Sequence, residues 1–321
     1  MSQISPQTSL PSPINPVEKP NEWLYAFWKF SRPHTIIGTS LSVLALYLIS
    51  LATTESSVTT QNLGQLLGAL LACLCGNVYI VGLNQLEDVE IDQINKPHLP
   101  IAAGEFSRAQ AQVIVAVFGI LALVLAGLLG PWLFLMVSIS LAIGTAYSLP
   151  PIRLKQFPFW AAICIFSVRG AIVNLGLFLH FSQRFSENLF FPPAPVWALT
   201  LFIVVFTFAI AIFKDIPDIE GDKQYNITTF TIQLGKPAVF NLARWVITAC
   251  YVGMAVPGCL WLGSVNPVFL VITHLAALGL MWWRSLSVDL EDKSAIAQFY
   301  QFIWKLFFLE YLIFPAACLL A

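Results

Sequence analysis

Charge is what this chain lacks: only 10% of its 321 residues are Asp, Glu, Lys or Arg, against about a quarter in an average globular protein. A basic excess is missing too. The net charge of −1 leaves nothing to neutralise a phosphate backbone, which excludes nucleic acid as a partner. The six cysteines, Cys73, Cys75, Cys164, Cys250, Cys259 and Cys318, lie in apolar runs and form neither a C-x-x-C nor a Cys/His pair at zinc-ligand spacing. They read as small apolar packing residues. The first twenty residues, rich in Ser and Pro, contain no Arg, and so fit neither a secretory signal nor an Arg-rich transit peptide. A disordered tail over 1–22 is expected.

Apolar residues, in contrast, make up 58% of the chain, and the mean hydropathy is +0.77. A water-soluble fold of this size would expose large apolar patches, so the sequence predicts an all-α, multi-pass membrane helix bundle. Runs close to the roughly 20 residues that cross a bilayer fall at about 35–52, 63–84, 110–129, 131–149, 159–181, 194–213, 238–263, 267–283 and 298–320. The Gly130-Pro131 pair divides an apolar stretch too long for one span. Nine spans sort the cations: thirteen of the sixteen Lys and Arg fall on the N-terminal face, Arg184 alone falls opposite, and Arg169 and Lys305 lie within spans. The positive-inside rule then predicts a cytoplasmic N-terminus and a C-terminus across the membrane.

Acidic residues are equally uneven. Glu87, Asp88, Glu90 and Asp92 follow the second predicted span, and Asp215, Asp218, Glu220 and Asp222 follow the sixth. At an offset of 130 the segments 84–92 and 214–222 match at three acidic positions, which is a parallel, four-helix internal repeat. Asn84, Asp88 and Asp92 share one helical stripe with Glu90 pointing elsewhere; Asp215, Asp218 and Asp222 share a narrow arc with Glu220 opposite. Pro217 and Gly221 predict a kinked or broken helix in the second copy. Rows of like charge repel unless something cationic lies between them. Carboxylate and amide oxygens with no soft ligand select Mg²⁺ or a similar hard cation, with Asn84, Asp88, Asp92, Asp215, Asp218 and Asp222 as candidate ligands around a diphosphate. The plain alternative is two ordinary polar loops, but charge beside membrane helices is costly and usually functional.

The stretches Asn84-x-x-x-Asp88-x-x-x-Asp92 and Asp218-x-x-x-Asp222 resemble the paired aspartate-rich motifs of the UbiA-type intramembrane prenyltransferases, from about Trp28 to the end of the chain. Within that superfamily the segments 28–35 (WKFSRPHT), 94–107 (INKPHLPIAAGEFS) and 214–222 (KDIPDIEGD) look most like the homogentisate phytyltransferases of tocopherol synthesis. The resemblance implies one transmembrane prenyltransferase domain over 23–321, in a plasma or thylakoid-type membrane of a photosynthetic prokaryote, with the active site on the cytoplasmic side. It also implies Mg²⁺-assisted ionisation of a prenyl diphosphate, alkylation of homogentisate by the allylic carbon, and loss of the acetate carboxyl as CO₂. No protein partner is implied.

The same resemblance carries catalytic roles to Asp88, Asp92, Asp218, Asp222 and Lys155, and substrate-binding roles to Asn84, Arg153, Lys214, Arg32 and Tyr147. Arg153 and Lys155 match the family's basic diphosphate-binding loop, and Lys214 stands at the stripe position that Asn84 holds in the first copy. Lys96 and Arg108 fit either diphosphate binding or membrane anchoring. Arg169, inside the fifth predicted span, fits either an acceptor carboxylate or a structural ion pair. His34 fits either phenol deprotonation or an interfacial position. Twenty-five Phe, ten Trp and eight Tyr can wall off a carbocation from water, though packing explains most of them.

Two other readings stay open. An ion-coupled transporter would use the aspartates as cation sites, but such sites commonly lie at the bilayer midplane between inverted repeats, not at the ends of parallel ones. Enzymes of the same superfamily that alkylate 4-hydroxybenzoate, a naphthoate, chlorophyllide or haem are not excluded by any residue, and phytyl, geranylgeranyl and solanesyl donors are equally open. A phosphatidyl-transferring enzyme would carry a D-x-x-D-G-x-x-A-R run, which is absent.

Overall fold

The computed structural model describes residues 13–186, 191–224 and 228–321, with the side chains of Gly221 and Asp222 outside the described residues. Among these residues there is no strand, and nine helical spans are long and apolar enough to cross a membrane. A short helix α1 (Pro20–Phe30) precedes α2 (Pro33–Thr53) and α3 (Thr60–Glu87). After the small α4 (Val89–Asn95) come α5 (Arg108–Leu129) and α6 (Pro131–Ser148). The fifth span is composite: α7 (Pro158–Phe166), a π-helical turn (Ser167–Ile172) and α8 (Val173–Phe185). Then α9 (Ala194–Phe213), the short α10 (Ile219–Gln224) and α11 (Phe230–Leu234), α12 (Lys236–Leu260), α13 (Pro267–Ser285) and α14 (Lys293–Leu319) complete the bundle.

Local chemistry sets the boundaries. Ser107 opens α5 with a capping box: its hydroxyl accepts from the Gln110 N–H at 3.1 Å while the Gln110 amide oxygen accepts from the Ser107 N–H at 2.9 Å. The α5–α6 hairpin turns on Gly130, whose φ of 151° suits glycine and whose missing Cβ leaves room for Arg184 Nη2, 2.8 Å from where that atom would sit. Arg184 donates in turn to the Leu129 carbonyl at the end of α5. Between α13 and α14, His274 and Glu310 form a fully buried pair (Nε2 to Oε2, 3.2 Å), with Nδ1 bonded to the Leu270 carbonyl at 2.8 Å. Large residues such as Leu128, Leu201, Val268 and Ile272 stay exposed on the outer surface, as a lipid-facing wall requires.

Two expectations change. The N-terminal tail ends before residue 22: α1 begins at Pro20, and the Ile14 N–H already donates to the Glu105 carbonyl at 2.9 Å; residues 1–12 lie outside the described residues. The first aspartate row is not one continuous helix. Asp88 (φ −113°, ψ 17°) ends α3 and precedes α4, as expected of a residue whose side chain competes for backbone groups. The row nevertheless keeps its register, because the Asp88 N–H still bonds the Asn84 carbonyl (3.1 Å) and the Asp92 N–H the Asp88 carbonyl (2.7 Å).

The repeat is visible in three dimensions. Positions 81–90 and 211–220 run through buried, half-buried and exposed environments in the same order, residue for residue, with Glu90 and Glu220 both exposed. Helices α4 and α10, which carry the ends of the two copies, pack against each other.

Candidate active site

A cavity of about 1010 Å³ opens where the two copies meet. Its polar end is lined by Asn84, Asp88 and Asp92 from the first copy, with Lys96 just beyond it, and by Lys214, Asp215 and Asp218 from the second; Arg32, Tyr147 and Lys155 complete the rim. Glu90 and Glu220 are not among the lining residues. The cavity then runs inward past His34, Arg169, Trp304 and Phe307 to apolar walls that include Met136, Val137 and Leu141.

Three of the four carboxylates on the rim, Asp88, Asp215 and Asp218, pair with a cation. Asp88 takes the Lys155 ammonium and accepts from Arg153 Nη2 (3.1 Å) and from the Asn84 amide (2.9 Å), while Asn84 Oδ1 accepts from Arg32 Nη2 (3.2 Å). Lys96, just past the first copy, pairs with Asp218 of the second. Lys214 lies 3.3 Å from Asp215 Oδ1 and donates to the Tyr147 hydroxyl at 3.4 Å. Arg32 and Arg153 both sit in the left-handed region (φ 52° and 37°), a costly backbone state that tends to concentrate at functional positions.

Burial tunes these groups. It pushes the Asp92 carboxyl up to about 6, against the pull of Arg32 and Lys96. Burial also raises Asp215, with Lys214 opposing, and lowers Lys155, with Asp88 opposing. For Lys214, burial disfavours the charge, but Tyr147, Asp215 and Asp218 outweigh it and hold the ammonium above its ordinary range.

The expected metal-ligand rows are present but not drawn together. Among the described residues no three His, Cys, Asp or Glu side chains converge as a ready metal shell. The physical reason is the repulsion anticipated from the sequence: Asp88, Asp215 and Asp218 settle on lysines and an arginine instead of on one another. The donor set still fits a hard cation. Every candidate ligand is an oxygen, and Asp92, only 5% exposed, has an Oδ2 with no hydrogen-bond partner. Asp222 cannot be added to this set, since its side chain lies outside the described residues.

Deeper in the cavity, Arg169 sits on the π-helical turn, a distortion often found at functional sites. Among the described residues it forms no ion pair; its guanidinium lies 4.9 Å over the Trp304 ring and 5.9 Å from that of Phe307. His34 meets the same Trp304 edge-on at 4.9 Å. Gly38 packs beside this group: a Cβ there would meet Arg169 Nη1 at an ordinary 3.5 Å and Phe308 at a tighter 3.3 Å.

Most of the residues singled out in the sequence are thus gathered here, with two distinctions. Arg153 does not line the cavity but reaches Asp88 from behind. Arg108 leaves the site altogether and donates to the Leu86 carbonyl at 3.0 Å, capping the end of α3. Trp304 and Gly38 were not legible beforehand. Nothing local marks one tryptophan among ten or one glycine among eighteen; the link to Arg169 is a long-range contact.

The model of the UbiA prenyltransferase family matches residues 41–306. The chain is 57% identical over 299 residues to a protein of Synechocystis sp. named homogentisate phytyltransferase, covering 92% of this chain and 96% of that one. It is 42% identical over 301 residues to the chloroplastic homogentisate phytyltransferase 1 of Arabidopsis thaliana, covering 91% and 75%. Among solved structures, a UbiA homolog from Archaeoglobus fulgidus bound to GPP and Mg²⁺ shares the fold with a TM-score of 0.61 at 17% identity, over 91% of this chain and 99% of that one.

Proposed function

The chain belongs to the UbiA prenyltransferase family, and on that footing we propose that it transfers a phytyl group from its diphosphate to homogentisate, with decarboxylation. The observation that carries this reading is the division of one cavity into a charged rim and an aromatic interior holding an unpaired arginine.

The rim suits a diphosphate. Lys155, Lys96 and Arg32 line it, with Arg153 close behind; as the allylic C–O bond breaks and its electron pair passes to the leaving group, these cations neutralise the charge that develops. Asp88, Asp92, Asp215, Asp218 and Asn84 would hold Mg²⁺, which when bound supplies further charge neutralisation to the diphosphate. With the metal held there, Lys155, Lys96 and Lys214, now paired with those aspartates, would be free to face phosphate oxygens.

The interior suits the other two reactants. Trp304 and Phe307 exclude water and present ring faces to an allylic cation. Arg169 holds the acceptor carboxylate at the base of the same wall, and His34, against Trp304, takes the phenolic proton. A ring carbon then forms the new C–C bond and gives up its proton; CO₂ departs from the acetate arm, the remaining methylene takes a proton, and His34 returns the phenolic proton to give the quinol. The strong bias of Lys and Arg to the rim's side supports a cytoplasmic site.

Incubating membranes containing the chain with carboxyl-labelled homogentisate and a panel of prenyl diphosphates tests the reading. Labelled CO₂ and a phytylated quinol are expected. Transfer only to another acceptor, or retention of the label in the product, would overturn it.

A further inference from the structure

Outside the catalytic cavity, a second groove of about 450 Å³ lies between α13 and α14 and is lined by two cations, Arg284 and Lys305. No acidic residue lines it. Among the described residues neither cation has an ion pair or a side-chain hydrogen bond; Arg284 only lies 5.5 Å over the Phe302 ring. Gln298, Gln301 and Lys305, all exposed, recur at i, i+3 and i+7, so α14 carries a polar stripe on its outer face.

That stripe is out of place on a spanning helix. Lys305 is twelve residues past the start of α14, about 18 Å along its axis, and a lysine facing hydrocarbon costs several kcal/mol unless it snorkels or finds an anion. Arg284, near the end of α13, and the 68%-exposed Trp283 beside it mark the headgroup level that the Lys305 stem can reach. Below them, Leu280 continues the groove, and Val268, Ile272 and Leu275 make the adjoining face of α13 an exposed apolar wall.

We propose that this groove binds one anionic bilayer lipid, its phosphodiester or sulfonate head between Arg284 and Lys305, its polar ester region on the glutamines, and its acyl chains along the α13 wall. A bilayer lipid, rather than a soluble anion, is favoured because the cations face outward at the level where headgroups turn into hydrocarbon. The two cations are separate from the prenyl-transfer site, since neither Arg284 nor Lys305 lines the catalytic cavity, while Gln301 borders both.

The test uses the full-length purified chain, native mass spectrometry, and mixed micelles of phosphatidylglycerol and phosphatidylcholine. Two juxtamembrane cations predict roughly a 30-fold preference for the anionic lipid. R284Q/K305M should lose that preference while R284K/K305R keeps it, and prenyl transfer should continue in both. Equal retention of the two lipids by the wild type, or an unchanged preference in R284Q/K305M, overturns the proposal. Displacement by millimolar inorganic diphosphate would assign the groove to a soluble anion, and displacement by a prenyl diphosphate to the donor; both overturn it as well. Should the double variant not survive extraction, K305M alone decides: a reduced preference supports the site, and an unchanged one overturns it.

Discussion

Lys96 and Asp218, 122 positions apart, form an ion pair that ties the first acidic segment to the second. This contact joins the two halves of the repeat at the mouth of the cavity and offsets the repulsion between the two rows of carboxylates. Asp88, Asp215 and Asp218 each pair with a lysine, Lys155, Lys214 and Lys96 respectively.

The rim geometry separates acidic residues that carry the same charge. Asp88→Ala and Asp218→Ala should each lower prenyl transfer by on the order of 10²-fold or more, as loss of one electrostatic element at a reacting centre does elsewhere. Glu90→Ala and Glu220→Ala, on the exposed side, should stay within a few-fold of the parent. Equal losses in all four, measured at matched protein levels in membranes, would rule out the two-row arrangement.

Lys155 is buried against Asp88. If it stabilises charge on the departing diphosphate, Lys155→Ala will depress kcat as well as raise KM for the prenyl donor, because an interaction stronger in the transition state is expressed in kcat. Lys155→Arg should recover part of the loss. Steady-state kinetics with unchanged kcat would return Lys155 to simple binding or anchoring.

Chelation should abolish turnover and Mg²⁺ restore it, and the pH dependence of cation binding should carry the signature of Asp92. Its carboxyl, pushed up to about 6 by burial, is neutral below that pH and anionic above it. Mg²⁺ affinity of the substrate-free protein, followed by calorimetry, should therefore fall as pH drops through about 6 instead of about 4, where an ordinary Asp titrates. Asp92→Asn should remove that step; a step that persists in the variant belongs to another group.

Arg169 should matter only to an acceptor that bears a carboxylate. Arg169→Met is expected to raise KM for homogentisate tenfold or more, the scale of a lost charge-assisted hydrogen bond, and to leave KM for the prenyl donor nearly unchanged. A variant that binds donor and acceptor equally poorly would make Arg169 a support of the π-helical turn.

Composition and periodicity suffice for the membrane bundle, because a span is written as an unbroken run of some twenty apolar residues and needs no partner to be recognised. The same holds for the turn at Gly130-Pro131 and for the two acidic segments, whose spacing places Asp88 and Asp218 at one depth. Arg169 also stood out, since a charge within a span is conspicuous against its neighbours. What the rim does with its charges was decided only by the fold. That Lys96 reaches across to Asp218, that Arg108 caps α3 and leaves the site, and that Arg169 rests on Trp304 are contacts between residues far apart in the chain. No local pattern encodes such contacts, because each depends on the rotation and depth of two packed helices, and those are set by the sum of all the side chains between them.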